Sequence, residues 1–63
     1  MDYGKLLKEE RNNKKMSQYQ LAQEAGVTKR SIAYWESGTK KMSLESADKV
    51  FKALHVSVVI GER

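Results

Sequence analysis

The sequence predicts a mainly α domain of four short helices followed by a short C-terminal β-strand. Three observations predict it. Apolar residues recur at three- and four-residue spacing through most of the chain. A residue suited to cap a helix, Asp2, Ser17, Thr28 or Ser43, stands ahead of each periodic stretch. Gly26 and Gly38 fall where two of those stretches stop, the place a helix leaves through positive φ.

The first helix runs from about Tyr3 to Lys14, with Asp2 as its cap and Tyr3, Leu6 and Leu7 on its apolar side. Ser17-Gln18-Tyr19-Gln20 reads as a capping box: the Ser17 hydroxyl takes the amide three residues on, and Gln20 reaches back. The second helix then buries Leu21, Ala22 and Ala25, whose small alanines admit a close neighbour, and stops at Gly26. Only Val27 separates Gly26 from Thr28, which caps a third helix, Lys29 to Ser37, ending at Gly38. Two helices of about nine residues joined so tightly must cross steeply, which is a helix-turn-helix. Beyond the Thr39–Met42 loop, Ser43 caps a fourth helix whose Leu44, Ala47, Val50, Phe51 and Leu54 should close the core.

Residues 55–60, His55-Val56-Ser57-Val58-Val59-Ile60, switch to a β-rich, partly alternating pattern that ends at Gly61. A lone strand cannot satisfy its own backbone. It either pairs with its symmetry mate in a second copy, through Val56, Val58 and Ile60, or lies as an edge tail on the fourth helix.

Composition narrows the class. With 63 residues there is room for one small domain and little room for a deep catalytic pocket. No cysteine is present, so no disulfide framework or thiolate metal site is expected, and a reducing cytoplasm suits the chain. No apolar run is long enough to span a bilayer, and charges throughout residues 1–16 leave no signal-peptide core. His55 is the only histidine and cannot build a metal site alone; Glu9-Glu10 reads as a solvated pair. Neither an enzyme nor a cofactor is called for. The net charge is +4, carried by residues 1–16 (+2) and 17–42 (+2), with residues 43–63 neutral. That balance tilts the reading toward a polyanion partner.

At 100° per residue, the third helix places Lys29, Arg30, Ala33, Tyr34 and Ser37 on one arc, with Ile32 and Trp35 opposite as core anchors. The outward strip is small, basic and hydrogen-bonding, with few carboxylates to repel phosphate.

Ser17-Gln18, Leu21-Ala22, Gly26-Val27-Thr28, Ile32, Trp35-Glu36 and Gly38 stand at the spacing of the lambda-repressor/Cro (Xre-type) helix-turn-helix family, which the chain resembles over residues 3–55. Arg11, six residues before Ser17, also matches a frequent arginine. Glu10, where a leucine is frequent, and Lys15, where a glycine is frequent, depart from the pattern. The resemblance implies a four-helix lambda-repressor-like domain over residues 1–55 with a strand or tail over 56–63.

It further implies that the third helix enters the major groove of double-stranded DNA while the second lies across the backbone. Lys29, Arg30 and Tyr34 match base-reading positions, and Thr28 could touch a thymine methyl or a phosphate. The chemistry agrees, since Lys and Arg donate to guanine and a tyrosine hydroxyl bonds a base edge or a phosphate. Gln18 matches a phosphate clamp at a helix N-terminus. Ser31, Ser37, Lys40 and Lys41 are further phosphate candidates. Plainer roles stand beside these: Tyr34 packed over the Lys29 stem, and Lys40 and Lys41 as loop charges. In related folds an arginine and a glutamate placed like Arg11 and Glu36 form a semi-buried ion pair.

The expected function is a sequence-specific DNA-binding regulator, a repressor acting as a homodimer on a palindromic operator. The alternatives are a DNA-binding antitoxin of the HipB-like kind holding a toxin protein, and a protein-interaction adaptor.

Overall fold

The computed structural model describes residues 2–56, which form four helices: α1 (Tyr3–Asn13), α2 (Gln18–Ala25), α3 (Lys29–Ser37) and α4 (Leu44–Ala53). Each begins where a short polar side chain can take an orphan amide. Asp2 Oδ1 accepts from the Lys5 amide at 3.1 Å and Ser17 Oγ from the Gln20 amide at 3.0 Å. Thr28 Oγ1 and Ser43 Oγ each accept at 3.0 Å, from Ser31 and Ser46 respectively. The Gln20 carboxamide oxygen accepts in turn from the Ser17 amide at 2.9 Å, completing the capping box.

All four helices end in the same way, through a residue in the left-handed region: Lys15 (φ +58°), Gly26 (+75°), Gly38 (+82°) and His55 (+59°). The next amide then donates to the carbonyl five residues back: Met16 to Arg11, Val27 to Ala22, Thr39 to Tyr34 and Val56 to Phe51, at 3.0–3.1 Å. Three of these four following residues, Met16, Val27 and Val56, are apolar and pack on the core, as this kind of helix stop favours. Lys15 and His55 carry a Cβ into a conformation that costs a non-glycine residue about 1 kcal/mol or more. Lys15 is the position at which the chain departs from the glycine frequent in the resembled family, and the turn there has kept the glycine geometry.

Three expectations are corrected. The first helix stops at Asn13, with Lys14 already its C-cap. Leu44 does not join the core: as the first residue of α4 it sits at the rim, 57% exposed, with no described element above it. Among the described residues there is no strand. Val56, expected to open one, instead spends its amide on Phe51 and its side chain on the core, ending α4. Val58 and Ile60 lie outside the described residues.

Leu7, Leu21, Ala22, Ile32, Ala47, Val50, Phe51 and Leu54 form one buried cluster, and no polar or charged residue among those described is buried with them. α1 and α2 each pack on both α3 and α4. Tyr3 meets Phe51 edge to face, with centroids 6.1 Å apart. Tyr3, Leu6, Ala25 and Trp35 cover the cluster from its margin.

α1 passes close to α3 at Gly4, where a Cβ would overlap the backbone carbonyl of Trp35. A backbone atom cannot swing aside as a side-chain tip can. Gly4→Ala gains up to about 1 kcal/mol of helix propensity but incurs about 1–3 kcal/mol of overpacking. The clash should win, lowering the thermal midpoint by roughly 5–15 °C. A midpoint that held or rose would mean α1 can back away from α3 freely.

Candidate nucleic-acid interface

The outward side of α3 is set by its core side. Ile32 is fully buried and Trp35 packs beside it, which turns Lys29, Arg30 and Ser37 out to solvent, with Ala33 and Tyr34 half-exposed between them. Among the described residues neither Lys29 nor Arg30 has an acidic partner; the two ion pairs present are Arg11–Glu36 and Asp48–Lys52. Both cations stand in the first turn of α3, where the helix dipole disfavours positive charge. The first turns of α2 and α3 contain no acidic residue, whereas that of α4 carries Glu45.

The one carboxylate of α3 faces inward. Glu36 Oε2 accepts from Arg11 Nε at 2.7 Å and Oε1 from Arg11 Nη2 at 3.0 Å, with the side chains 4% and 11% exposed respectively. Arg11 Nη1 also donates to the Met16 carbonyl at 2.7 Å, fastening the α1–α2 turn. The hydrogen bonds to Glu36 outweigh the opposing effect of burial and, with the carboxylate's charge, hold the guanidinium pKa above its ordinary value. A raised pKa on a basic group stabilises the fold below that value and loses its effect only on deprotonation, so the arginine stays charged through the physiological range.

Hydroxyl directions divide the labour at the start of α3. The Thr28 hydroxyl donates to Ser31 Oγ at 2.9 Å while accepting the Ser31 amide. Thr28 is therefore left with its methyl, and Ser31 with a free hydroxyl proton. Past the other end of the helix, the Tyr34 carbonyl collects the Thr39 amide at 3.0 Å, the Lys40 amide at 3.3 Å and the Ser37 hydroxyl at 3.1 Å. Ser37 thus spends its only proton inside the chain and offers a phosphate no donor in this rotamer. The folded-back loop brings Lys40 Nζ to 5.1 Å from the Tyr34 ring centroid, so the cation lying over that ring comes from the loop after α3. Lys41 is exposed beside it.

Gln18, the first residue of α2, is half-buried, and its Nε2 donates to Glu36 Oε1 at 3.1 Å. Its own backbone amide and that of Tyr19 are left by the capping box without an intrahelical acceptor. Sequence reasoning did not find the Gln18–Glu36 bond, nor the placement of Lys40 over Tyr34. A glutamine directly after a serine cap was the one available signal for the former.

A shallow groove of about 420 Å³ runs between the start of α1 and the α3 exit, from Asp2, Tyr3 and Gly4 to Trp35 and the Lys40–Met42 stretch. Among the described residues no group of three or more His, Cys, Asp or Glu gathers to hold a metal ion. His55 is exposed in the turn closing α4. No described helix is long and apolar enough to cross a membrane.

Neither a curated protein nor a solved structure matches the chain. The family model described as helix-turn-helix matches residues 7–60, nearly the whole sequence, and spans every element just described from the second turn of α1 onward. With α2 packed on α3 across a short turn, Glu36 turned inward onto Arg11 and an acid-free outer face on α3, the chain belongs to the helix-turn-helix family of the Xre/lambda-repressor type, a family of DNA-binding transcription regulators and not of enzymes.

Proposed function

We propose that this protein is a sequence-specific repressor that binds a palindromic operator as a homodimer in the cytoplasm. The observation that carries the reading is the charge arrangement of α3: two cations with no acidic partner among the described residues and a half-exposed tyrosine outward, the sole carboxylate of the helix inward and neutralised by Arg11. Arg30 and Lys29 are the base-reading donors, Tyr34 reads a base edge or a phosphate, and the Thr28 methyl meets a thymine. Gln18, Ser31, Lys40 and Lys41 hold the backbone, Lys40 lying against the Tyr34 ring. One half-site supplies few phosphate contacts, so a lone copy binds weakly. A two-fold pair sets two α3 helices about 34 Å apart, one turn of duplex. We assign the pairing to the segment after Val56, with Val58 and Ile60 as its apolar contacts, and repression to occlusion of the polymerase.

Selection of bound duplexes from a random pool, followed by footprinting, tests this directly. A symmetric enriched motif supports specificity and dimeric use together; no enrichment overturns both. Ending the chain after Val56 keeps the α4 stop intact and should lower operator affinity while yielding a monomer. Co-purification with a larger protein would instead make it the DNA-binding half of a toxin–antitoxin pair.

Lys29→Glu separates function from stability. A carboxylate in the first turn of α3 suits the dipole and should add about 0.3–1 kcal/mol to the fold. The same change should abolish DNA retention, because it sets a negative charge against phosphate. A midpoint that rises slightly with binding lost is the expected pair of results in thermal melts and gel-shift titrations; retained binding would remove Lys29 from the interface.

A further inference from the structure

Glu36 makes one hydrogen bond more than its ion pair requires. Oε1 accepts from Arg11 Nη2 at 3.0 Å and also from Gln18 Nε2 at 3.1 Å, while Oε2 takes Arg11 Nε at 2.7 Å. The third bond adds no countercharge, but it decides which way a carboxamide faces. A glutamine side chain has a donor edge and an acceptor edge of nearly equal shape, and its terminal torsion is broad and close to two-fold. Unheld, it presents either edge. Held by an acceptor that is itself fixed by Arg11, it must keep Nε2 at the carboxylate, and the second Nε2 proton remains available. That proton lies at the first residue of α2, beside the open amides of Gln18 and Tyr19, where an anion is favoured.

We propose that Glu36 is a positioning residue for DNA binding: its carboxylate orients the Gln18 carboxamide so that an N–H, and not the carbonyl oxygen, is offered to a backbone phosphate. The inference rests on the reading of Gln18 as a phosphate contact. It gives the ion pair a second task. Arg11 fixes Glu36, Glu36 fixes Gln18, and the donor that α2 offers to DNA is thereby tied to the packing of α1 against α3.

The test is a double-mutant cycle on affinity for the selected duplex, with Gln18→Met and Glu36→Gln, at low temperature where circular dichroism shows each variant folded. Gln18→Met should weaken binding roughly tenfold per half-site, the worth of one hydrogen bond to a charged group. Glu36→Gln should weaken it roughly three- to tenfold in the native background and less than about twofold once Gln18 is Met, since a positioning residue has nothing left to position. An equal loss in both backgrounds would reduce Glu36 to a structural role and overturn the proposal. No loss from Gln18→Met would fail at the earlier step, removing Gln18 from the interface whatever Glu36 does. A second measurement needs no variant to fold: in the native free protein, one Gln18 side-chain amide proton, the one given to Glu36, should be displaced from the shift of an exposed glutamine and protected from solvent exchange. Two side-chain amide signals with the shifts and exchange rates of an exposed glutamine would contradict a fixed carboxamide.

Discussion

Glu36→Ala is expected to lower the thermal midpoint by at least about 12 °C, and to leave much of the population unfolded at room temperature. The substitution strands a guanidinium whose side chain is 11% exposed, removing both of its carboxylate hydrogen bonds and leaving only the Met16 carbonyl. Breaking a buried pair by deleting one partner costs about 3–5 kcal/mol, and a single core in a chain this short supplies little more than about that in total. At roughly 4–8 °C per kcal/mol for so small a domain, the smaller figure already gives the stated shift. The size of the loss does not mean that the pair is a large net stabiliser, because much of it is the penalty of a charge left alone. Arg11→Met, which removes the charge and keeps the stem, should therefore cost less than Glu36→Ala. Equal melting curves for native protein and Glu36→Ala, followed by circular dichroism, would show that the pair is effectively solvated.

Arg30→Ala is expected to do the opposite, sparing the fold and disabling the interface. Arg30 is exposed and has no acidic partner among the described residues, so its removal should move stability by no more than about 0.5 kcal/mol. A bidentate contact to a base is worth about 1–3 kcal/mol, and a homodimer makes it twice, so operator affinity should fall roughly 30-fold at the least. Discrimination against sequences altered at the contacted base pair should fall with it. Tyr34→Ala is a less clean probe: the ring is half-buried and lies under Lys40, so its loss also frees that lysine. Fluorescence anisotropy against the selected duplex and a scrambled one measures both quantities. An Arg30→Ala protein that still distinguishes the two would take Arg30 out of base recognition.

How much of this was legible in the sequence depends on how far apart the interacting residues are. The four helix starts were readable because each is written within four residues: Ser17 and Gln20, for example, form their box without help from elsewhere. The helix ends were half readable. Gly26 and Gly38 announce positive φ, whereas Lys15 and His55 adopt it although their side chains disfavour it, held by the docking of Met16 and Val56 on a core the sequence does not display. For the same reason Val56 could be taken as a strand residue: an apolar side chain in an alternating stretch serves a strand or a helix stop equally well. Leu44 keeps helical period, yet period cannot say that no other described element reaches the first turn of α4.

At the site, the outer strip of α3 followed from helical phase, since burying Ile32 fixes where Arg30 and Lys29 point. The tie between Gln18 and Glu36, eighteen residues apart, did not. Nor did the close approach at Gly4, which is a property of how two helices cross and leaves no local mark in α1.

Whether α3 lies in a duplex groove is most directly measured by titrating isotope-labelled protein with the selected operator and following every backbone amide by NMR. The largest shifts should fall on Thr28, Lys29, Arg30, Ser31 and Tyr34, with a second group at Gln18 and Tyr19 and small changes along the exposed side of α4. Shifts gathered on α4 or the outer face of α1, with the α3 amides unmoved, would contradict the account at its centre.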